Sequence, residues 1–288
     1  MKDISVVAYY PGCSLHGMSR AYDLSCKQVC DKIGIRLVDI PDWNCCGATS
    51  AHTVDRALNL AINVRNLNLA GKTGAMVMAA PCAACYSNLK RTAVSLRDDA
   101  VRKKAAELLE DSVADIEVMH FSELFARPGT AAKVQQYIQR TFNGLKMACY
   151  YGCLTVRPFH TVEFDNSENP QSLDDLLKMT GVDCIDWSHK TECCGASFAA
   201  CGPELVAAKT EEIIGQALAA GAEAFAVACP LCHTNLEMSL YRLGRLDIPV
   251  TFFTQVIGLA MGFTDKEMGL QHLLANAFPW KEKLAIVS

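Results

Sequence analysis

The sequence has no excess of positive charge: 27 Lys and Arg against 31 Asp and Glu leave a net charge of -4. No Lys/Arg cluster or interleaved aromatics make up for this locally, so no nucleic-acid partner is expected. Long hydrophobic runs are also missing. The longest, Val250 to Phe263, is interrupted by Thr and Gln and is too short to cross a bilayer, so no transmembrane segment is expected. The stretch Met1 to Tyr10 lacks the charged-then-apolar layout of a signal peptide, and the expected location is a soluble cytoplasmic one. Neither a Gly-x-Gly-x-x-Gly fingerprint nor the cysteine run of an eight-iron ferredoxin occurs, so the chain is expected to draw electrons from a partner.

What the chain does have is cysteine, fifteen in 288 residues. A disulfide framework suits small secreted domains that cannot build a core, and this chain is long enough for two medium lobes. Metal or cluster ligation is therefore the favoured use. Ten of the fifteen recur in one order, twice: a lone cysteine, then Cys-Cys-Gly, then Cys-x-x-Cys. These are Cys13, Cys45, Cys46, Cys82 and Cys85, and then Cys153, Cys193, Cys194, Cys229 and Cys232. The other five, Cys26, Cys30, Cys149, Cys184 and Cys201, read as small buried hydrophobes.

The surrounding pattern repeats too. In the first half, apolar runs at Val6–Tyr10, Ile35–Ile40, Ala75–Ala80 and Ile116–Phe121 predict strands, with helices over Ser19–Ile33, from Ser50 or Thr53 to Ala70, and over Tyr86–Leu109. The helix ending at Ala70 is expected to bury Val54, Leu58, Ala61 and Ile62. A helix over Ala131–Arg140 precedes the boundary. The second half answers with Met147–Tyr151, Gly181–Ile185, a helix Glu204–Ala220 and a strand Phe225–Ala228. Pro158–Pro170 is an insertion that lengthens the gap after the lone cysteine from 31 residues (14–44) to 39 (154–192). The expected fold is α/β, with two pseudo-symmetric repeats, residues 1–143 and 144–288. Each is a short, mostly parallel sheet flanked by helices, with its site at the strand carboxyl ends, where loops converge.

Four thiolates suit tetrahedral zinc or an iron-sulfur cube. Five per half exceed either need and suggest a cluster with a bridging cysteine or a non-cuboidal arrangement, with zinc in one half as the alternative. The glycine after each Cys-Cys permits the tight turn that aims two adjacent thiolates at one centre.

The full pattern resembles the cysteine-rich repeat of the heterodisulfide reductase family, and two copies in a chain of this length look like its B-type subunit, including the ending Thr254-Gln255-Val256-Ile257-Gly258-Leu259-Ala260. That resemblance implies two noncubane [4Fe-4S] clusters, one on each set of five cysteines. It also implies a small disulfide cleaved reductively to two thiols. Electrons would come from the family's ferredoxin-like iron-sulfur subunit, the C type, supplied by its flavoprotein subunit, the A type. The alternative is a non-catalytic electron-relay subunit of a larger oxidoreductase.

Beside the thiols, His16 and His233 are candidates to donate protons to departing thiolates, or else plain hydrogen-bonding or surface residues. His160 and Arg157, in and beside the insertion, are candidates to hold an anionic substrate group, or else belong to a solvated loop. Trp43 and Trp187 are expected to shield the clusters. The apolar residues Phe252, Phe253, Val256, Ile257, Leu259, Met261 and Phe263, with Leu270, Leu273, Leu274 and Phe278, are expected to form the face that docks an electron-carrying partner.

Overall fold

In the computed structural model, which describes residues 4–48, 51–275, 278 and 280–286, two four-stranded parallel sheets are built in the same order. The apolar runs are strands covered by helices, as an all-parallel sheet requires. In the first unit β1 (Val6–Tyr9) is followed by α1 (Gly12–His16), α2 (Arg20–Lys32) and β2 (Arg36–Asp39). Next come α3 (Ala51–Val54), α4 (Arg56–Gly71), β3 (Val77–Ala80), α5 (Ala83–Ser95), α6 (Asp99–Leu109) and β4 (Glu117–His120). The sheet order is β2-β1-β3-β4, every pair parallel.

A connecting stretch of α7 (Phe121–Ala126), α8 (Pro128–Tyr137) and β5 (Arg140–Phe142) leads to the second unit. There β6 (Lys146–Tyr150), α9 (Phe159–Val162), α10 (Ser172–Lys178) and β7 (Asp183–Cys184) are followed by α11 (Pro203–Ala219), β8 (Ala224–Val227), α12 (Pro230–Arg242), β9 (Val250–Phe252) and α13 (Phe253–Ala260). The order β7-β6-β8-β9 matches the first sheet. Near the end α14 (Trp280–Lys283) leads into β10 (Leu284–Ile286), which pairs antiparallel with β5.

Several predicted elements differ in detail. The helix expected over Tyr86–Leu109 is two, because Asp98 accepts the N–H groups of Ala100 and Val101 and starts a new helix there. The helix expected over Ala131–Arg140 begins at Pro128 and stops at Tyr137, since Gln139 turns its N–H to the Ala260 carbonyl and Arg140 joins β5. Asp55, not Thr53, caps α4, through the N–H groups of Ala57 and Leu58; Ser50 lies outside the described residues. The buried face of α4 also differs. Val54 and Leu58 are 78% and 50% exposed, while Asn63, Asn66 and Asn68 point inward.

The expected docking face is instead the seam between the two units. Phe252, Phe253, Val256, Ile257, Leu259, Met261 and Leu270 are all buried. Tyr22 of α2 stacks on Phe252 at 4.1 Å between ring centres, and Phe253 meets Tyr22 and Phe125 edge-on at 6.2 and 5.4 Å. Ser25 and Thr254 hydroxyls bond across the seam at 2.6 Å, and the Tyr22 hydroxyl donates to the Ala228 carbonyl at 3.0 Å. The two units thus cover each other's apolar faces. Phe263, Leu273 and Phe278 pack half-buried against the same core, and only Leu274 of this group is exposed.

Candidate metal centre

Each set of five thiols gathers at the carboxyl ends of its sheet. In the first unit the chain leaves β1 through Tyr10-Pro11-Gly12 and delivers Cys13 at the start of α1, the loop after β2 carries Cys45 and Cys46, and β3 runs into Cys82 and Cys85. The Cys46 and Cys85 sulfurs lie 3.3 Å apart, and the Gly47 N–H points at the Cys45 sulfur from 3.4 Å. In the second unit Cys194 and Cys232 lie 3.6 Å apart and the Gly195 N–H meets the Cys193 sulfur at 3.4 Å. Gly47 and Gly195 both adopt left-handed backbone, φ 71° and 75°, which a side chain would oppose. Gly12 and Gly152, φ 66° and 67°, let the backbone pass so close to the last thiol that a Cβ there would sit 3.0 Å from the sulfur of Cys85 or Cys232.

The thiols act on one another beyond these pairs. Cys13 acts on the titration of Cys45, and Cys82 and Cys85, Cys153 and Cys193, and Cys229 and Cys232 act on each other's. Cys82 of the first set and Cys229 of the second shift one another's titration, Cys82 up and Cys229 down, so the two sets adjoin. Within the pairs one thiol is lowered and its partner raised. A hydrogen bond from Cys85 lowers Cys46, bonds from Cys232 and Cys82 lower Cys229, and a bond from Cys153 brings Cys193 down to about 6. Their partners Cys85, Cys232 and Cys153 are raised by the same bonds. Cys13, Cys45 and Cys193 are exposed, whereas Cys46, Cys82, Cys85, Cys194, Cys229 and Cys232 are buried. Among the described residues no three His, Cys, Asp or Glu side chains close on a single ion. Soft sulfur donors gathered in this number fit a thiophilic metal group.

Beneath each set lies a tyrosine. The Tyr10 hydroxyl donates to the Asn44 carbonyl and the Tyr150 hydroxyl to the Glu192 carbonyl, both at 2.7 Å, so each fixes the residue just before a Cys-Cys pair. Asn88 and Asn235 donate to the carbonyls of Cys46 and Cys194 at 2.6 and 3.0 Å. Sequence reasoning missed both pairs, though Cys-x-x-Cys-x-x-Asn stands twice in the sequence. In the first unit only, Asn63 also donates to the Cys46 carbonyl, and Asn66 bonds both the N–H and the carbonyl of Asn44.

The other candidate residues are placed apart from one another. His16 is exposed, edge-on to Trp43 at 5.3 Å, and Trp43 in turn meets Tyr10 at 5.4 Å. His233 is buried, bonds the Val250 carbonyl through its Nε2 at 3.0 Å, and stacks on Phe252 at 4.2 Å. Burial lowers its pKa to about 4, so it is neutral at pH 7, and burial pushes nearby Glu237, 3.5 Å from its Nδ1, up to about 7. His160 is exposed on α9. Arg157 is held by the Thr191 hydroxyl at 3.2 Å and Glu168 at 3.1 Å, which ties the insertion to the loop before Cys193. Trp187 is buried under β6, its Nε1 on the Cys149 carbonyl at 3.3 Å. Cys26, Cys30 and Cys149 are buried and Cys184 half-buried, but Cys201 is exposed because it ends the turn that follows Cys193-Cys194-Gly195. A cavity of ≈ 860 Å³ opens at the opposite, amino-terminal edge of the first sheet, among Val6, Val77, Glu117 and Lys90, away from the thiols.

Residues 7–90 and 147–237, more than half of the chain, match the family described as CCG, cysteine-rich domain, one copy on each sheet. The chain belongs to the CCG cysteine-rich domain family. This CCG protein is 27% identical over 276 residues to the 8-methylmenaquinol:fumarate reductase membrane anchor subunit of Wolinella succinogenes, covering 94% of this chain and 97% of that one. It is 26% identical over 280 residues to the B subunit of the ferredoxin/F(420)H(2)-dependent CoB-CoM heterodisulfide reductase of Methanosarcina acetivorans, covering 92% of each. Among solved structures a hypothetical protein from Helicobacter pylori shares the fold, with TM-score 0.74 at 13% identity over 95% of this chain; the CCG protein spans 52% of its length. Among the described residues no helix is long and apolar enough to cross a membrane.

Proposed function

We propose that this CCG protein is the catalytic subunit of a heterodisulfide reductase-like complex, with one noncubane [4Fe-4S] cluster on each set of five cysteines. The first set belongs to a repeat spanning 1–143 and the second to a repeat spanning 144–288. The observation that supports the reading is that the two thiol sets adjoin: the Tyr22 hydroxyl of the first unit bonds the Ala228 carbonyl just before Cys229, and Cys82 and Cys229 shift one another's titration. A small disulfide has two sulfur ends, and two adjoining sites can receive one each. The relatives named as B subunits of heterodisulfide reductases support the substrate class by their names.

When bound, the clusters supply iron for the two sulfurs and pass the electrons that break the S–S bond. The balance is one disulfide, two electrons and two protons to two thiols. The protein's own part is to aim the thiolates through Gly47 and Gly195, to fix the Cys-Cys loops through Tyr10, Tyr150, Asn88 and Asn235, and to leave an open face at Cys13, Cys45 and Cys193. His233, buried and neutral, acts as a packing residue against Phe252 in this reading, and His16, exposed and edge-on to Trp43, is the candidate histidine three residues past Cys13. Electrons enter from a ferredoxin-like subunit fed by a flavoprotein. Met18 and Val54, 76% and 78% exposed and shortly past Cys13 and Cys46 in the chain, offer apolar surface for that contact in place of the buried carboxyl-terminal residues.

The name of the Wolinella relative keeps a second reading open, in which the protein relays electrons for another oxidoreductase. Cleavage of a small disulfide by the anaerobically isolated chain, with a reduced viologen dye as donor, separates the two. Thiol release at a rate proportional to cluster content supports catalysis, and dye oxidation that is independent of any disulfide supports the relay.

A further inference from the structure

The two lone-cysteine turns are held in different ways. Tyr10-Pro11-Gly12-Cys13 aligns with Tyr150-Tyr151-Gly152-Cys153, so tyrosine stands where the first half has proline. Pro11 sets its own φ, -69°, through its ring and has no N–H to place. Tyr151 lacks that constraint and is bonded at both ends instead. Its N–H and that of Gly152 donate to the Lys190 carbonyl at 2.9 and 3.1 Å. Its hydroxyl donates to Asp174 Oδ2 at 2.6 Å and accepts the N–H groups of Leu173 and Asp174 at 2.8 and 3.1 Å.

Lys190 closes the circuit. It is 2% exposed, and its ammonium donates to Asp174 Oδ1 at 3.1 Å and to the Pro170 carbonyl at 3.3 Å. One residue therefore grips the Cys153 turn with its carbonyl and α10 with its side chain, while standing three positions before Cys193 in the loop that carries the Cys-Cys pair. A lysine is buried at this depth only when paired, and removing either partner strands the other charge. No other lysine among the described residues is fully buried.

The geometry points to Lys190 and Asp174 as the positioning pair of the second thiol set, a latch that replaces the proline of the first half and holds Cys153 against the Cys193–Cys194 loop. It deepens the cluster reading above, on which its metal-dependent consequence rests: the second site answers to this pair and the first does not. Lys190 acts on the thiols through the backbone of Tyr151 and Gly152, and Asp174 through the Tyr151 hydroxyl.

Two variants test it in the full-length chain. Lys190→Met removes the ammonium at similar volume, and Tyr151→Phe removes only the hydroxyl and leaves no charge stranded, so it carries the test if the first variant fails to fold. In the metal-free chain, labelling of Cys153 by iodoacetamide relative to Cys13 is expected to rise severalfold in both. In anaerobically isolated protein the paramagnetic signal assigned to the second cluster, using Cys194→Ala as the reference that lacks it, is expected to shift or vanish while the other signal stays. An unchanged Cys153 to Cys13 labelling ratio in folded variants would overturn the proposal, and so would equal changes at both turns. Absence of iron from the wild-type protein would instead overturn the cluster reading and leave the labelling result to decide the latch.

Discussion

Replacing Gly12 by alanine perturbs the site through two atoms that can be named. The backbone there is left-handed, φ 66°, which costs a residue with a Cβ about 1–2 kcal/mol. The new Cβ would lie 3.0 Å from the Cys85 sulfur, inside an ordinary contact of about 3.5–4 Å. Cys85 must retreat, yet its sulfur is already 3.3 Å from that of Cys46. Overpacking of this kind adds about 1–3 kcal/mol, so a total loss of about 2–5 kcal/mol is expected, which a domain toward the upper end of the usual stability of about 5–15 kcal/mol survives. The functional effect should exceed the structural one, because the displaced atom is a thiol of the first set. Urea unfolding followed by circular dichroism gives the stability, and iron per chain gives the site. Gly12→Ala should fold and retain about half the iron, with Gly152→Ala, 3.0 Å from the Cys232 sulfur, losing the other half. Loss of less than about 0.5 kcal/mol together with full iron in both variants would refute the close-approach argument, since it requires both terms.

Cys194→Ala should leave the fold intact by circular dichroism and bring iron to about half of the wild type; full iron would show that Cys194 holds none. Phe253→Ala should cost about 3–5 kcal/mol, as a buried phenylalanine meeting Tyr22 and Phe125 leaves a cavity in the seam between units; a midpoint unchanged in urea would mean that the units do not depend on that seam. Burial lowers His120 to about 4 from its ordinary 6.5. The unfolded chain therefore takes up a proton first, and stability present above pH 6.5 is lost as pH falls toward 4, by about 3 kcal/mol. His120→Phe, which installs the residue that Phe252 provides in the other half, should flatten that part of the stability-pH curve, and an unaltered slope would assign the acid loss elsewhere.

The duplication was legible because buried parallel strands keep continuous apolar runs and because thiol spacing survives in both halves. Side chains whose role depends on what they face were not. Asn63 and Asn66 sit on the buried side of α4 and bond the Cys45–Cys46 loop, but an amide-bearing face reads from sequence as a solvated one, so the apolar pattern turns Val54 and Leu58 inward in their place. An apolar helix such as α13 looks the same whether its partner is another protein or the other half of its own chain. Adjacency to Cys232 suggested a proton donor in His233, whereas its protonation is decided by burial, which adjacency does not reveal. Asp98 ends one helix and begins another within a charged stretch that remains periodic across the break. The insertion was visible as extra length, but the way Arg157 and Lys190 fasten it to the second thiol loop depends on contacts made at a distance along the chain.

Two clusters on ten cysteines, side by side, is the central claim, and iron with acid-labile sulfide in the anaerobically isolated chain tests it most directly. About eight of each per chain are expected, as two four-iron clusters require, with a paramagnetic signal that changes when a small thiol is added under oxidising conditions. A colourless protein containing zinc and no sulfide would contradict it.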